Sequence, residues 1–412
     1  MVSQKANIVA AVDVGSSKVA CVIAEKSGSE YRVVGAATRR AHGLRYGVVT
    51  DMAAAENTIR ATVDAAEKMA GERVDRVFTV IAGGAPSSHT VGVEIEAPDR
   101  EIGNADVYRL LRQAGARTEP GDRTVLHAIP VSFSLDGAQG IVDPRGMAGR
   151  RLGVDVHVVT VADGARRNLA MCIERCMLKP EAMVTGPYAA GLGCLDADEL
   201  ALGAAVVDLG AEVTKIGIFS HNSLIHTDTF TIGGSHVTRD IATLLSTTYD
   251  EAERLKTTRG SALNGPRDDE TAINVQSLGT HWTQGAPTMP LSVVNGVIRP
   301  RIEEILETVR ECIDSSGYPS LARKVVLTGG GSQLTAIDRI AAEILEKPVR
   351  LGRPQNDMLG ALPLSMTEPE FSALTGAMRF AERRLENMIE EAKPTRPTGR
   401  IARLGRWLKE NF

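Results

Sequence analysis

The chain has 412 residues, of which 43% are hydrophobic and 24% charged, a composition typical of a folded globular protein. This length exceeds what one ordinary hydrophobic core supports and predicts roughly two to four domains. The formal net charge of −4 excludes a general basic field for nucleic acid, so we expect no nucleic-acid partner, and any anion site must be local.

The cysteines and the N-terminus narrow the class of protein further. Five cysteines indicate neither a disulfide framework nor a zinc site, because their number is odd and no Cys-x-x-Cys pair occurs. The N-terminus lacks a signal-peptide pattern, since Asp13 interrupts its short apolar run. No stretch offers the ~18 to 20 apolar residues that a membrane-spanning helix needs. These features predict a cytoplasmic protein.

Residues 7–24 predict a β-hairpin with a polar tip. An apolar run over residues 7–12 leads into Asp13-Val-Gly-Ser-Ser-Lys18, after which residues 19–24 resume the strand pattern. Gly15 and the neighbouring turn amides can approach an anion, and Asp13 fits such a site if a hard cation such as Mg²⁺ lies between it and a phosphate. Taken alone, an ordinary Asp-x-Gly turn explains this segment equally well.

The next elements follow the order of an α/β domain. Residues 31–37 predict a third strand, residues 52–70 a helix between an Asp51 N-cap and Gly71, and residues 74–81 a buried strand. The apolar face predicted for this helix consists of Met52, Ile59, Val63, Ala66 and Met69.

Between residues 85 and 163 the pattern changes to short alternating strands around one helix. The strands are predicted at residues 88–96, 123–135 and 155–161, and the helix between an Asn104 cap and Gly115, which would end it. The pattern predicts a separate small α+β module inserted into the first half. Because it contains no paired acids or histidine cluster that would form a site, we interpret it as an interaction surface.

Residues 204–219 repeat the design of the first hairpin. The apolar run 204–207 reaches Asp208 and Gly210, a short turn follows, and residues 214–219 resume the strand. The two hairpins lie 195 residues apart, so we predict a duplicated domain that closes on one phosphate group from both sides. Just before it, the small-residue helix 186–193 lets another helix approach closely, although a simple packed helix is an equally good interpretation.

The following segment adds a helix terminus and a charged pair. Residues 223–232 predict a third strand, and Gly233-Gly234 turns directly into a helix whose N-terminal amides would face the phosphate. On the next helix, Glu253 and Lys256 share one face, where the simplest interpretation is a weak surface ion pair.

Three elements complete the predicted folded part. Residues 296–317 predict a long amphipathic helix. A strand at residues 324–328 runs into Gly329-Gly330-Gly331, a turn that permits backbone contact with a flat or anionic ligand. Residues 369–391 predict a last long helix, and its small residues at 373–377 offer a second place for helices to cross.

The C-terminal tail predicts a short linker and an amphipathic helix. Residues 392–399 contain two prolines and cannot hold a helix, whereas residues 400–412 have helical spacing. The apolar stripe consists of Ile401, Leu404, Trp407, Leu408 and Phe412, and the cationic side of Arg403, Arg406 and Lys409. As a helix this segment spans ~20 Å, too short to cross a bilayer. We predict that it lies in the interface of an anionic membrane; the alternative is a helix docked on its own protein.

The ordered set of two Asp-x-Gly hairpins, two small-residue helices and a triple glycine resembles the five nucleotide-site segments of the actin/Hsp70/sugar-kinase superfamily. The resemblance spans residues 7–390. It implies an actin-like duplicated ATPase fold of two ribonuclease-H-like lobes, of α/β class, with the inserted α+β subdomain in the first lobe. The insert, Gly233-Gly234 with Thr238 and Asp240, and the tail make the chain similar to the FtsA family, the actin homologues that tether the bacterial division ring to the membrane.

The resemblance implies a division into four subdomains and a tail. Subdomain 1A would comprise residues 1–84, 165–195 and 367–391, and the inserted subdomain 1C residues 85–164. Subdomain 2A would comprise residues 196–232 and 300–366, and subdomain 2B residues 233–299. The linker and the membrane helix would be residues 392–399 and 400–412.

The resemblance also implies a site for ATP and Mg²⁺. The residues on the phosphates from the first lobe would be Asp13, Gly15, Ser16, Ser17 and Lys18. Those from the second lobe would be Asp208, Gly210, Thr214 and Gly234. The ribose would be held by Glu253 and Lys256, and the adenosine by Gly329, Gly330 and Gly331. The metal would be bound by Asp13 and Asp208 through water.

One position departs from the superfamily pattern. Relatives that use the γ-phosphate actively often place a glutamate before the proline of the first small-residue helix, and here that position is Gly186. With no evident base to orient a water, we expect no catalytic residue and at most slow ATP hydrolysis. ATP would then act mainly as a clamp that fixes the geometry of the lobes.

The partners follow from the family resemblance. It implies an actin-like filament of the chain itself on the cytoplasmic face of the inner membrane at the division site. The filament would bind the C-terminal peptide of the tubulin-like FtsZ near Arg299 and Arg301, and recruit later divisome proteins through subdomain 1C. Because one short helix binds a membrane only reversibly, polymerisation and membrane recruitment would reinforce each other.

Two alternatives share the fold. A pilus-assembly actin homologue would also carry the insert but would lack the tail helix. A small-molecule or sugar kinase would need a catalytic aspartate and a polar substrate pocket in the cleft, and it would leave the insert and the tail unexplained.

Overall fold

The structure, a computed structural model, describes residues 8–27, 30–97, 100–116, 121–276, 288–355, 363 and 366–392. Two mixed five-stranded sheets and one antiparallel four-stranded sheet form its framework. Within these ranges, no helix has the length and apolar character needed to span a membrane. The predicted tail helix, and all but the first residue of the predicted linker, lie outside the described residues.

The first half of the chain builds one five-stranded sheet and the inserted sheet. Its elements are β1 (Ile8–Val14), β2 (Lys18–Ser27), β3 (Glu30–Arg40), β4 (Leu44–Arg45), β5 (Val48–Val49), α1 (Met52–Ala70), β6 (Arg76–Ile81), β7 (Ser87–Glu96), α2 (Asn104–Ala116), β8 (Arg123–Leu135), β9 (Ala138–Ile141), β10 (Arg151–Ala162), α3 (Asp163–Arg175), β11 (Lys179–Thr185) and α4 (Gly186–Cys194).

The second half builds the other five-stranded sheet and the helices around it. Its elements are α5 (Ala197–Leu202), β12 (Ala204–Leu209), β13 (Thr214–Ser220), β14 (Ser223–Phe230), α6 (Gly234–Leu244), α7 (Tyr249–Thr258), β15 (Ala272–Asn274), β16 (Thr288–Pro290), α8 (Leu291–Ser315), β17 (Val325–Thr328), α9 (Ile337–Leu345), β18 (Val349–Leu351) and α10 (Ser372–Ala392).

The two large sheets have the same topology. Their strand orders are β3-β2-β1-β6-β11 and β14-β13-β12-β17-β18, each an antiparallel meander followed by two parallel strands. The hairpin registers also match, because Val14 pairs with Val19 and Leu209 pairs with Thr214 across turns of equal length. The predicted duplication and the actin-like two-lobed fold are therefore confirmed.

Helix α1 of the first lobe begins and ends at the residues that the sequence predicts. Asp51 Oδ1 accepts a hydrogen bond from the Ala54 N–H at 3.1 Å, and Gly71 ends the helix with a φ of 71°, as predicted. Ile59 is fully buried against the sheet. Met69, predicted on the same face, is instead 60% exposed, because at ~100° per residue it lies ~80° away from Ile59 around the helix.

The inserted module is a sheet of order β7-β10-β8-β9 with α2 packed against it. Strand β9 was not predicted, because its residues are mostly exposed and Gly140 interrupts any alternation. The module also contacts the second lobe: Ser88 Oγ donates to the Thr227 carbonyl oxygen at 3.1 Å and accepts from the Thr227 N–H at 2.9 Å.

The two small-residue helices cross each other between the large sheets. A Cβ at Gly376 of α10 would overlap the carbonyl oxygen of Ala189 of α4, and a Cβ at Gly193 would overlap that of Ser372. Glycine therefore allows contact of the two backbones at this crossing. The same buried cluster includes residues of both large sheets, so α4 and α10 join the lobes through one core.

Helix α8 begins earlier than predicted. It starts at Leu291 rather than at residue 296 and continues through Pro300. Its first turns are packed rather than exposed, since Asn295 is buried and its amide donates to Asp268 Oδ2 at 2.8 Å. Tertiary packing thus overrides Gly296, which in the sequence reads as the helix start.

Candidate functional site

The tips of the two equivalent hairpins face one cleft between the lobes. This cleft has a volume of about 770 Å³. The residues of the predicted nucleotide site that line it are Asp13, Gly15, Ser16, Ser17, Lys18, Asp208, Gly210, Gly234, Glu253, Lys256, Gly329, Gly330 and Gly331. The fold therefore brings together residues from across more than 300 positions of the sequence.

The first tip is a tight turn with free backbone donors. The Gly15 N–H donates to the Lys18 carbonyl oxygen at 3.0 Å and closes the turn. Ser16 Oγ accepts from the Gly47 N–H at 2.8 Å, which ties the tip to the β4–β5 hairpin. Among the described residues, the backbone N–H groups of Ser16 and Ser17 find no acceptor. They are available to an anion in the cleft.

The second tip repeats this turn and adds a helix terminus. The Gly210 N–H donates to the Val213 carbonyl oxygen at 3.1 Å, and the N–H of Gly234 donates to the Gly210 carbonyl oxygen at 2.9 Å. Helix α6 therefore begins beside the tip, where its positive dipole end favours an anion. In the described part of the chain, the N–H groups of Ala211 and Glu212 also have no acceptor.

The two aspartates at the tips differ in their partners. The Lys215 ammonium lies 2.5 Å from Asp208 Oδ2, and both side chains are about nine-tenths buried. Burial acts to lower the pKa of Lys215, but the charges of Asp208 and Asp13 together outweigh it and raise this pKa. Burial raises the pKa of Asp13 to about 6, although the positive charges of Lys215 and Lys18 oppose the shift. No described side chain donates a hydrogen bond to Asp13.

Lys18 is held by the segment that leads into α10. Its ammonium lies 3.1 Å from Glu370 Oε1 and 3.5 Å from the centroid of the Phe371 ring. Burial lowers the pKa of Lys18, and the carboxylates of Glu370 and Asp13 oppose that shift. Lys18 therefore lies beside the first tip with its charge already partly balanced.

The triple-glycine turn packs directly on the second tip. Gly329 has a φ of 83°, and a Cβ there would overlap the Asp208 carboxylate. A Cβ at Gly331 would lie 3.0 Å from the carbonyl oxygen of Leu209. These glycines are therefore required by the approach of two protein segments, in addition to any contact with a ligand.

Glu253 and Lys256 form more than a surface ion pair. The Lys256 ammonium lies 2.8 Å from Glu253 Oε2, and it also donates to the Gly234 carbonyl oxygen at 3.0 Å and to Thr238 Oγ1 at 2.8 Å. The pair thus fixes α7 against the first turn of α6. Lys256 is mostly buried, whereas the Glu253 side chain is 44% exposed.

Thr214 does not lie where the predicted phosphate contact requires it. It is fully buried, and its hydroxyl donates to the Ile232 carbonyl oxygen at 2.7 Å. The reason is strand alternation: Thr214 faces away from the cleft side of the sheet, whereas Lys215 lines the cleft.

Six charged residues that line the cleft were not assigned to the site by the sequence analysis: Arg40, Glu212, Lys215, Arg239, Asp250 and Glu370. Glu212 Oε2 accepts from the Tyr46 N–H at 2.6 Å, a direct hydrogen bond from the second lobe to the first. The available signal for Lys215 was a lone charge in an otherwise apolar strand, seven residues after Asp208 across a hairpin. No local pattern singled out Glu212 or Glu370.

The two arginines predicted for a partner both form ion pairs within α8 or with α6. Arg299 Nε lies 2.7 Å from Glu303 Oε1, and its side chain is 48% exposed. Arg301 Nε lies 2.6 Å from Asp240 Oδ2, and the guanidinium also contacts Glu304. The eight predicted membrane residues between Ile401 and Phe412 lie outside the described residues.

Two family patterns match the chain. The pattern described as "Cell division protein FtsA" matches residues 205–376, which include the second hairpin, the triple glycine and part of α10. The pattern described as "SHS2 domain inserted in FTSA" matches residues 83–160, the inserted module.

Several solved structures share the fold. A "PilM-PilN type IV pilus biogenesis complex" matches with a TM-score of 0.64 at 18% identity over 90% of this chain and 98% of that chain. MreB 5 of Spiroplasma citri bound to AMPPNP matches with a TM-score of 0.59 at 14% identity over 94% of this chain and 100% of the other. At these identities the likeness establishes the fold alone.

Whole-length relatives establish the family. "Cell division protein FtsA" of Agrobacterium fabrum is 39% identical, over 100% of this chain and 96% of the relative. The proteins of the same name from Neisseria meningitidis and Escherichia coli are 33% and 28% identical, over 99% and 98% of this chain and 100% and 98% of their own lengths. The chain belongs to the FtsA family of actin-like cell division proteins.

Proposed function

We propose that the cleft binds ATP. The observation that carries this proposal is that two equivalent tips, each with an aspartate and two backbone N–H groups without an acceptor, open on one cleft from opposite lobes. Such N–H groups, together with the N-terminus of α6, are favourable for phosphates. Two structures of MreB5 that share the fold are described as bound to ADP and AMPPNP, which supports the choice of nucleotide.

The two lobes divide the ligand between them. The phosphates are bound from the first lobe by Gly15, Ser16, Ser17 and Lys18. They are bound from the second lobe by Gly210 and Gly234. Thr214 is left out of this set because its hydroxyl is already bound within the sheet. Glu253 and Lys256 lie at the ribose, and the glycines from Gly329 to Gly331 at the adenosine.

A magnesium ion would be held mainly on the side of Asp13. In the described part of the chain, no three His, Cys, Asp or Glu residues converge to hold a metal, so the ion would bind through water and the phosphate oxygens. Asp13 fits this role because its carboxylate has no hydrogen-bonded side chain, whereas Asp208 Oδ2 is bound by Lys215. Asp208 would contribute through its second oxygen and an ordered water.

Replacing Asp13 tests the proposed ligand. In Asp13→Asn the shape of the side chain is kept but the charge that holds Mg²⁺ is lost, so we expect the affinity for MgATP, measured by calorimetry on the full chain, to fall by about three- to tenfold. Asp64→Asn, at an exposed position of α1, is the matched control and should bind like the parent. Unchanged affinity in Asp13→Asn, or no MgATP binding by the parent, would contradict the proposal.

Nucleotide hydrolysis is a minor part of the function. Position 186, at the start of α4, is a glycine, where relatives that use the γ-phosphate actively often place a glutamate that could orient a water. Bound ATP instead joins the two tips and adds to the protein's own links between the lobes, among them the Glu212 to Tyr46 hydrogen bond. The role proposed for the ligand is therefore to fix the lobes in one arrangement that favours assembly.

At the level of the cell, the chain acts as a scaffold of division. It forms an actin-like filament on the cytoplasmic face of the inner membrane at the division site, binds the C-terminal peptide of FtsZ, and recruits later divisome proteins through the module at residues 85–164. The family membership and the basic amphipathic pattern of residues 400–412 support this proposal.

The FtsZ contact is proposed on the outer part of the second lobe, near α8. Arg299 is the better placed of the two arginines for an acidic peptide, because its side chain is 48% exposed and its ion pair with Glu303 lies on one helix surface. Arg301 is more deeply held between Asp240 and Glu304 and would mainly position α6 against α8.

Sedimentation with anionic vesicles tests the membrane tether. The full chain should pellet with the vesicles, whereas a chain ending at Glu391 should stay in the supernatant, since each cation of the tail contributes ~1 kcal/mol at an anionic surface. A full chain with Trp407→Glu separates insertion of the apolar stripe from charge attraction and should also lose binding. Equal pelleting of the three proteins would contradict the tether.

A further inference from the structure

Lys215 is placed at the phosphate site by strand register. Asp208 pairs with Lys215 between β12 and β13, as Asp13 pairs with Ala20 between β1 and β2. Directly paired residues lie on the same face of a sheet, so the lysine stands beside the aspartate at the root of the tip. The first lobe has an alanine where the second lobe has an ammonium group.

Gly186 provides the space for the lysine side chain. A Cβ at position 186 would lie 2.8 Å from Lys215 Cδ and 3.3 Å from Cε, which is closer than packed carbon atoms approach. The methylene chain of Lys215 therefore runs over the first residue of α4. A side chain at position 186 would displace the lysine, so the glycine and the lysine form a structural pair.

The charge of Asp208 is neutralised within the protein. Asp208 is 6% and Lys215 8% exposed, and their ion pair lies at the edge of the cleft where phosphates would sit. A buried carboxylate in contact with an ammonium group contributes little net charge to its surroundings. Of the two aspartates at the tips, only Asp13 therefore has no ion pair with a described side chain.

We propose that Lys215 is a fixed cation of the phosphate site: it neutralises Asp208 and allows the cleft to hold a nucleoside triphosphate with only a weak dependence on a divalent metal. This inference rests on the proposed binding of ATP. A cleft with two free aspartates needs a metal to bring a polyphosphate between them, because both carboxylates repel it. Here, of the two aspartates, only Asp13 is left for a metal to offset.

The metal dependence of nucleotide binding tests this role. The affinity of the full chain for ATP is measured by calorimetry in Mg²⁺ and again in EDTA, for the parent and for Lys215→Met, which keeps the side-chain length without the charge. We expect the parent to lose less than about tenfold on metal removal and Lys215→Met to lose on the order of 100-fold or more, since an unpaired Asp208 then faces the phosphates.

Two further variants keep the test interpretable. Lys215→Gln retains a hydrogen-bond donor for Asp208 without the charge, so it guards against loss of folding and should show the same strong metal dependence as Lys215→Met. Lys179→Met, at an exposed position of β11, should behave like the parent. Thermal unfolding without nucleotide identifies any variant that has lost its fold.

The outcomes separate this inference from the function on which it rests. If the parent and both Lys215 variants bind MgATP and lose equal affinity in EDTA, Lys215 is not the fixed cation, and the proposed ATP site stands. If the parent binds no ATP even with Mg²⁺, the proposed function fails and the inference fails with it.

Discussion

The two hairpins have the same backbone and different electrostatics. Their strand order, register and turn closure match, and each exposes two backbone N–H groups at the tip. At the first tip the aspartate has no side-chain partner and an alanine stands opposite. At the second tip the aspartate is bound to Lys215 at 2.5 Å.

This comparison shows which properties the two duplicated hairpins share and which differ between them. The shared part is geometry: two turns that present N–H groups to one cleft. The added part is charge, which is uncompensated at Asp13 and compensated at Asp208. We therefore expect substitutions at equivalent positions of the two hairpins to have unequal effects, in the following order.

The largest effect is expected at the paired aspartate. Asp208→Ala leaves the ammonium of Lys215 buried without its counter-charge, so the free energy of unfolding should fall by about 3–5 kcal/mol. MgATP binding should weaken as well, because the second tip then lacks the carboxylate proposed to hold the metal through an ordered water. Urea unfolding measures the first effect, with Asp314→Ala at an exposed position of α8 as the control. If the equivalent substitution Asp13→Ala lowered the free energy of unfolding by the same amount, the proposed difference between the hairpins would be contradicted.

The pH dependence of stability should change at the unpaired aspartate. Burial raises the pKa of Asp13 from 3.8 to about 6, so its contribution to stability is complete below pH 3.8 and is lost as the pH rises through about 6. The parent should lose this contribution over that range, and Asp13→Asn should not. Urea unfolding at several pH values, in EDTA and without nucleotide, gives the comparison; parallel profiles would show that Asp13 is not buried as described.

The smallest effect is expected at Ser16, which corresponds to Ala211 of the second tip. Ser16→Ala removes the hydrogen bond from the Gly47 N–H at 2.8 Å and should lower the free energy of unfolding by about 1 kcal/mol. Thermal unfolding detects the change. If Ser16→Ala leaves stability unchanged, the tie between the first tip and the β4–β5 hairpin makes no net contribution.

Much of the fold was accessible from the sequence because its signals are local. A few neighbouring residues are enough to recognise the Asp51 cap and Gly71 terminus of α1 and the apolar runs of the hairpins. Short edge elements such as β18 (Val349–Leu351) were missed, since three residues give too little periodicity to recognise.

The electrostatics of the site were less accessible because they depend on register and on distant segments. Lys215 lies in a strand whose alternation was recognised, but its contact with Asp208 follows only from the pairing of β12 with β13. Thr214, one residue earlier, was assigned to the phosphates and instead faces away. The space at Gly186 that admits the lysine belongs to a helix 29 residues earlier in the chain.

A crystal structure of the full chain with Mg²⁺ and a non-hydrolysable ATP analogue tests whether both tips bind the phosphates of one nucleotide. We predict phosphate oxygens within hydrogen-bond distance of the N–H groups of Ser16 or Ser17 and of Ala211 or Glu212 in the same molecule. A nucleotide whose phosphates contact one tip only, or that lies outside the cleft, would contradict the account.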